Sequence, residues 1–465
     1  MVNTIKSKLL NRGTIDMTSG DVKKTLLIFV FPLLIGNLFQ QFYNMVDTMV
    51  VGRFMGTNAL ASVGASSPII QLLLGLTIGL AGGLSVVIAQ KFGSGDIRKT
   101  QRSIINGLYL IIIVSVIITI LGIFLSRPLF ELINTPITII DGATTYTIIL
   151  FMGTITTALY NYEAGVLRAL GNSMISLLFL IISSILNVVL DVLFVVSFDW
   201  GIAGVAIATV LSQLISCLLC FIYMRRNFEI LHFKNEDLAF NHSLVKEHIK
   251  IGMPMAFFQS FLSVSFLLVQ SALNTLGSNE IAAYTAAYKM DSLMMQILAA
   301  FGSAISTFTA QNYGKNQFER IHKGARSCIK ITITLSIIIS LLVYFFGKYF
   351  MLLFVGANES NVISLGVQYL KITSLCYIIL GVNFVIRFVL TGVGKTSIPV
   401  IVGILEIVIR GLATYYLIYP LGYKGMALTN PLCWGTSTLL VAILYPKMIK
   451  DAEQMKLKNV ITKTK

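Results

Sequence analysis

Apolar runs of about 20 residues, long enough to cross a bilayer as helices, recur along the whole of this 465-residue chain. Twelve can be placed, at approximately residues 24–51, 59–88, 104–125, 143–167, 174–198, 202–224, 249–275, 281–310, 327–354, 366–391, 397–419 and 425–446. In hydrocarbon every backbone N–H and C=O must be satisfied inside the fold, which leaves helix bundles and closed barrels. The runs are too long for barrel strands and lack alternation of period two. The sequence therefore predicts an all-α polytopic membrane protein with 12 transmembrane helices. Only 12% of its residues are charged, against about 25% in soluble domains, and no stretch reads as a soluble catalytic domain. The first apolar run exceeds a signal-peptide core and is not followed by a small-x-small cleavage site, so it reads as an uncleaved span.

A net charge of +15 could suggest a nucleic-acid partner, but its distribution argues against one. Of the Lys and Arg residues, 27 lie before the first span and in every second loop after it, and only Arg53, Arg127, Lys348 and Lys424 lie in the opposite loops. That bias places both termini in the cytoplasm of a cell (inner or plasma) membrane protein. The five cysteines lie in or beside apolar runs. Cys217-x-x-Cys220 has no second pair and no nearby His, which favours ordinary packing over metal or redox use. All four histidines fall in charged loop stretches, so no imidazole is expected within the spans.

The two halves of the chain repeat each other. Gly56-Thr-Asn58-Ala-Leu-Ala61 recurs as Gly277-Ser-Asn279-Glu-Ile-Ala282, and Ala89-Gln90-Lys-Phe92-Gly93 as Ala310-Gln311-Asn-Tyr313-Gly314. Val166-Leu167 with Gly171 recurs as Val389-Leu390 with Gly394, Gly201-Ile-Ala-Gly204-Val-Ala206 as Gly422-Tyr-Lys-Gly425-Met-Ala427, and Pro32 pairs with Pro254. The displacement stays within 221 to 223 residues, which marks a duplication. Six spans per half is an even number, so the expectation is two six-helix lobes related by pseudo-two-fold symmetry along the membrane normal, with the substrate path between them. The boundaries are a cytoplasmic segment 1–23, an N-terminal lobe 24–224, a cytoplasmic inter-lobe loop 225–248, a C-terminal lobe 249–446 and a cytoplasmic tail 447–465.

The repeat, the Val-Asp-Thr-x-x-x-Gly ending the first span (Val46 to Gly52), Ala-Gln-x-x-Gly after the second and eighth spans, Arg-Ala-Leu-Gly at Arg168 to Gly171 and Leu-Asn-x-x-Leu-Asp at Leu186 to Asp191 together resemble the MATE (multidrug and toxic compound extrusion) transporters. The likeness covers roughly residues 20 to 446 and points to the bacterial type with the coupling acid in the first helix. It implies export of cationic, amphipathic organic compounds coupled to H+ or Na+. In some MATE proteins an Asp, Asn, Asp and Thr matching Asp47, Asn187, Asp191 and Thr209 bind the coupling cation.

The residues support this independently. Asp47 lies inside an apolar run, where an acid costs roughly 2.5–3.5 kcal/mol on insertion scales and persists only with a partner or a polar cavity. Counting inward at 1.5 Å per residue puts Asp47, Asp191 and Thr209 roughly 6–11 Å below the outer boundary, with Asn187 one turn deeper than Asp191 on the same face. Hard oxygen donors of this kind suit Na+ or a proton, and two acids close together in low dielectric cannot both stay ionised without a cation. The repeat matches Asp47 with Leu268 or Val269, Asn187 with Arg410 and Asp191 with Thr414, so the acidic cluster occupies one half only. The seventh span, Ile249 to Thr275, has Gln259 and Gln270 but no acid.

Gln40, Tyr43, Asn44 and Asn161 are candidates to line a substrate cavity, with interhelical hydrogen bonding as the alternative role. Glu406 and Arg410, at i and i+4, are expected to form an ion pair, and Glu163 and Arg168 a structural or gating pair at the inner end of the fourth span. Lys289 and Asp291 cannot share a helix face. Gly392-Val-Gly394-Lys395-Thr396 imitates a phosphate loop, but Val389 stands where the first glycine is required and no strand precedes it. The expectation is a non-enzymatic antiporter, monomeric, in contact with membrane lipid and small organic cations, and with no cofactor beyond H+ or Na+. The alternative within the same superfamily is a flippase for a lipid-linked oligosaccharide. It would need clustered cavity cations, and the spans offer only Lys289, Lys371, Arg387 and Arg410.

Overall fold

The computed structural model describes residues 14–133, 135–356 and 358–464, and their side chains except at positions 44, 48, 57 and 457–464. The described residues are helical, with no strand among them. The helices are α1 (Val22–Phe54), α2 (Gly56–Gly93), α3 (Ile97–Leu132), α4 (Ile137–Met152), α5 (Thr154–Ala169), α6 (Met174–Val192), α7 (Gly201–Asn227), α8 (His242–Leu273), α9 (Ser278–Gly314), α10 (Phe318–Leu352), α11 (Ser360–Ser374), α12 (Tyr377–Gly392), α13 (Ser397–Ala413), the single turn α14 (Tyr419–Leu421) and α15 (Tyr423–Thr464). Ten segments are long and apolar enough to cross a membrane, and twelve when the bent pairs α4–α5 and α11–α12 each count as one span.

Their exposed faces are as apolar as a soluble bundle's interior. Along α3 Ile113, Ile117, Ile120 and Phe124 are exposed, while the buried face mixes Ile104, Leu110, Ile111 and Phe130 with Thr100, Ser103, Asn106, Gly107, Ser115, Gly122 and Ser126. Lipid is as apolar as Leu, so small and hydroxyl-bearing residues take the helix contacts, where backbones can approach. Gly122 shows this closeness: a Cβ there would meet the ring of Phe151 on α4 at 2.3 Å.

The duplication is written into the backbone. Both bent pairs turn by 49°, at breaks displaced by the repeat. A π-helical turn follows α6 at Leu193–Ser197 and α13 at Thr414–Ile418. Gly201 and Gly422 share φ 58°, and Gly171 and Gly394 have φ 91° and 84°. The position of Gly95 (φ 81°) is filled in the second half by Asn316 (φ 62°), one of the few residues that tolerates the left-handed region. At Gly171 there is no alternative to glycine, because a Cβ would lie 2.2 Å from the Ile15 carbonyl oxygen, next to the bond from Ile15 N to Gly171 O at 2.9 Å.

Among the described residues the chain forms two compact units by contact: residues 14–20 with Phe31–Ser260, and Asp21–Val30 with those from Phe261 onward. Two helices therefore divide. The first turns of α1 belong to the second unit, and the first half of α8 belongs to the first unit. Pro32 and Pro254, the repeat-paired prolines, lie near these divisions and each removes one helical backbone hydrogen bond.

In the first unit the segment between α7 and α8 is clasped to α3. Gln101 Nε2 donates to the Ile230 and His232 carbonyls at 3.1 and 3.2 Å, Tyr109 Oη donates to Leu238 O at 2.9 Å, and Asn106 Oδ1 accepts from Asn241 N at 2.7 Å. Lys91 on α2 pairs with Glu247 on α8 at 2.6 Å. In the second unit the far end of α15 does the same work. Tyr313 Oη donates to Ala452 O at 3.3 Å, and His322, at the repeat position of Gln101, bonds Glu453 at 2.9 Å.

Candidate functional site

The cluster expected from the sequence comes together within the first unit. Ser183, Asn187 and Asp191 recur every four residues on the buried face of α6, which turns them towards one side. Asn187 is 2% exposed and Asp191 fully buried. Asn187 Nδ2 donates to Thr209 Oγ1 on α7 at 3.4 Å, and Thr209 Oγ1 donates to Val205 O of its own helix at 3.1 Å. From α1, Asp47 meets Asp191 side chain to side chain. Tyr43 of α1 and Tyr146 of α4 lie within electrostatic reach of both carboxylates.

Several buried oxygens of this cluster have no hydrogen-bond partner among the described residues: Asp47 Oδ1, Asn187 Oδ1 and both oxygens of Asp191. Two carboxylates about 4 Å apart repel by about 4 kcal/mol at an effective dielectric of 20, and an unsatisfied buried acceptor costs about 1–3 kcal/mol more. A proton or a hard monovalent cation between them would relieve both penalties at once. Among the described residues no group of three or more His, Cys, Asp or Glu is placed to hold a metal ion. The donor set here, two carboxylates with amide and hydroxyl oxygens, is chemically suited to Na+.

The remaining candidates separate. Tyr43 joins the cluster, while Gln40 is exposed. Asn161 donates Nδ2 to Thr157 O at 2.8 Å, one turn back on its own helix. The side chain of Asn44 lies outside the described residues. Tyr146 was not among the sequence candidates. Its signal was available in the repeat, which places Tyr369 at the equivalent position 223 residues on.

Glu163 does not pair with Arg168, because five residues along a helix turn the two about 140° apart. Its partner is instead Cys217 Sγ, which donates to Glu163 Oε1 at 3.6 Å. The expected Glu406–Arg410 ion pair forms at 2.8 Å and is buried.

A family model, MatE, matches this chain twice, over residues 32–193 and 254–416, in register with the duplication. The chain belongs to the MatE family. Its relatives are transporters of the multidrug-efflux type. The chain is 30% identical over 428 residues to a probable multidrug resistance protein, YpnP, of Bacillus subtilis (strain 168), covering 89% of this chain and 92% of the relative. It is 21% identical to the multidrug export protein MepA of Staphylococcus saprophyticus, covering 94% and 97%. A crystal structure of MATE in complex with MaL6 superposes with a TM-score of 0.88 at 21% identity, covering 95% of this chain and 99% of that one. The MatE fold of 12 spans in two lobes is therefore the fold of this multi-pass membrane protein.

Proposed function

We propose that this MatE protein exports cationic, amphipathic organic compounds by alternating access, in exchange for H+ or Na+ received at Asp47, Asn187, Asp191 and Thr209. The observation that carries the reading is the set of unpartnered buried oxygens on Asp47, Asn187 and Asp191, gathered from α1 and α6 onto one spot. Neutralising that cluster removes the repulsion between the two acids, and so favours whichever state of the first unit brings them closest. Drug and ion must differ in affinity between the two states for exchange to follow. The Lys and Arg bias supports a cell-membrane orientation with both termini in the cytoplasm, and the proposed working unit is a monomer.

The test is ethidium efflux from proteoliposomes under an imposed Na+ gradient and then a pH gradient, for the wild type and Asp47→Asn. Efflux driven by one gradient and lost in the variant, with folding retained, identifies the ion and the cluster together. Full efflux by Asp47→Asn would refute the site. No efflux under either gradient would move the assignment to a lipid-linked oligosaccharide flippase.

A further inference from the structure

Duplication makes the second unit an internal reference for the first. At the equivalent of the candidate site the scaffold is kept. Arg410 stands at the position of Asn187 and Asn430 at that of Thr209. The contact survives the exchange, with Arg410 Nη2 donating to Asn430 Oδ1 at 3.5 Å. Tyr369 stands at the position of Tyr146. Its hydroxyl accepts from Asn430 Nδ2 at 2.9 Å and donates to Asp291 Oδ2 at 2.7 Å. The acids have changed places: Leu268 or Val269 replaces Asp47, while Asp291 appears at the position of Ile70 and Glu406 at that of Ser183.

The chemistry is reversed with them. Arg410 is 1% exposed. It donates through Nη1 to Glu406 Oε2 at 2.8 Å and to Ser265 Oγ at 2.5 Å, and lies 4.6 Å over the ring of Phe266. Asp291, fully buried, also accepts from Tyr377 Oη at 2.6 Å and Thr373 Oγ1 at 3.2 Å. A chain of donations thus runs from Arg410 through Asn430 and Tyr369 to Asp291. The other groups facing the guanidinium are Tyr284 and Tyr288 of α9 and Cys433 of α15, and Arg387 of α12 acts on Glu406. Among the described residues, the buried charged side chains of this unit are Asp291, Arg387, Glu406 and Arg410, two of each sign. The first-unit cluster has two carboxylates and no cation among its members.

The geometry points to Arg410 as a tethered cation, occupying in the second unit the place where the first unit receives an exchangeable one. It rests on the cation-site reading of Asp47 and Asp191, and it deepens that reading. One half of the duplicated chain responds to the coupling ion, and the other carries its counter-charge permanently. A buried carboxylate stripped of its partner is strongly destabilising, and any ion that binds only the folded state restores stability by mass action. Removing Arg410 should therefore give the second unit an ion dependence that it lacks.

The experiment is the melting temperature of the full chain in lipid nanodiscs, titrated with Na+ at fixed pH and with protons at fixed Na+. The wild type should be stabilised by one of these ions, and Asp47→Asn/Asp191→Asn should lose the shift. Adding Arg410→Asn to that silent background should bring back an ion-dependent upward shift. Adding Glu406→Gln as well should abolish it, and Arg410→Lys should leave the silent background silent. A folded Arg410→Asn variant with no ion dependence overturns the proposal, as does a dependence that survives Glu406→Gln. Should Arg410→Asn not accumulate, rescue by Glu406→Gln in the same chain supports charge neutralisation. Failure of that rescue assigns Arg410 to packing and overturns the proposal. A wild type without any ion-dependent shift sinks the first-unit site itself, and is seen before Arg410 is altered.

Discussion

The second half of α2 carries Gly75, Gly79 and Gly83 on one face, and they rest directly on α8 within the first unit. A Cβ at Gly79 would lie 2.4 Å from the Met255 carbonyl oxygen and 2.7 Å from Ala256 Cα. One at Gly83 would lie 2.5 Å from Gly252 Cα and 3.0 Å from the Ile251 carbonyl oxygen. Ordinary contact begins near 3.4 Å, so a single methyl group requires the helices to part by about 1 Å. No rotamer change can relieve a clash with backbone. Overpacking of this kind costs about 1–3 kcal/mol, and a gap of about 1 Å forfeits up to about half the dispersion energy of the atoms it separates. Gly83→Ala and Gly79→Ala should each lose about 2–3 kcal/mol. Gly82 is the matched control, one residue away, with nothing within 4 Å of its Cβ position. Gly82→Ala should be neutral or gain about 0.5–1 kcal/mol, because alanine is the better helix former. At Gly75 the neighbour is the Gln259 side chain at 3.2 Å, which can swing away, so Gly75→Ala should fall between. Melting temperatures of the four variants in detergent, with efflux measured alongside, give the ranking. Equal melting temperatures for Gly82→Ala and Gly83→Ala would refute the close-approach argument.

Tyr377→Phe deletes a 2.6 Å hydrogen bond to a buried carboxylate and should cost about 1.5–3 kcal/mol, read as a lower melting temperature with the helical content unchanged. Asn106→Ala removes the acceptor of Asn241 N and a donor to Ala239 O at 3.4 Å. Limited proteolysis should then cut between residues 228 and 241 faster than in the wild type, and equal cutting rates would show that the clasp does not depend on Asn106. Asp96 caps α3 by accepting from Lys99 N at 3.0 Å, and Asp96→Ala should cost about 1 kcal/mol. Partial burial pushes the Asp96 carboxyl up, but the bonds and charge of Lys99 outweigh it and hold the group below the ordinary carboxylate range. The cap's contribution is therefore present above the ordinary carboxylate pKa and is lost as pH falls through the lowered value. A wild-type advantage over Asp96→Ala that persisted in strong acid would contradict this.

Much of the fold is legible in the sequence because lipid enforces it. Spans must be long and apolar, and the repeat fixes their number and pairing. The two bends are not legible, since neither contains a proline. The chain breaks at Gly153 between α4 and α5 and again after Ser374, where only packing makes the turn worthwhile. The division of α1 and α8 between the units is equally silent, because an apolar helix reads the same whichever neighbour receives it. At the candidate site, depth and four-residue spacing identify Asp47, Asn187, Asp191 and Thr209. They do not identify Tyr146, whose helix joins the cluster only through the fold. Asp291 shows the limit from the other side. Periodicity correctly separates it from Lys289, which is exposed, but its three hydroxyl donors lie 78 to 86 residues further along the chain.

Comparison of the halves also decides which irregularities carry functional meaning. A π-helical turn just beyond Asp191 would, taken alone, suggest a device of the ion site, since such turns are frequent at functional positions. The same turn at Thr414–Ile418, one turn beyond Arg410 and with no facing pair of carboxylates before it, assigns it to the inherited scaffold. The bends fall under the same reasoning, as do the left-handed glycine pairs Gly56 and Gly277, Gly171 and Gly394, and Gly201 and Gly422, each being present twice. What occurs once is the charge: two facing carboxylates in the first unit and a buried guanidinium between carboxylates in the second. Selection acting on packing alone would have little reason to keep the bends and the π-helical turns in duplicate while placing a guanidinium at one of two equivalent positions and an amide at the other. On the proposed reading the two halves differ in function at Asn187 and Arg410, and exchanging residues there should transfer ion dependence from one half to the other.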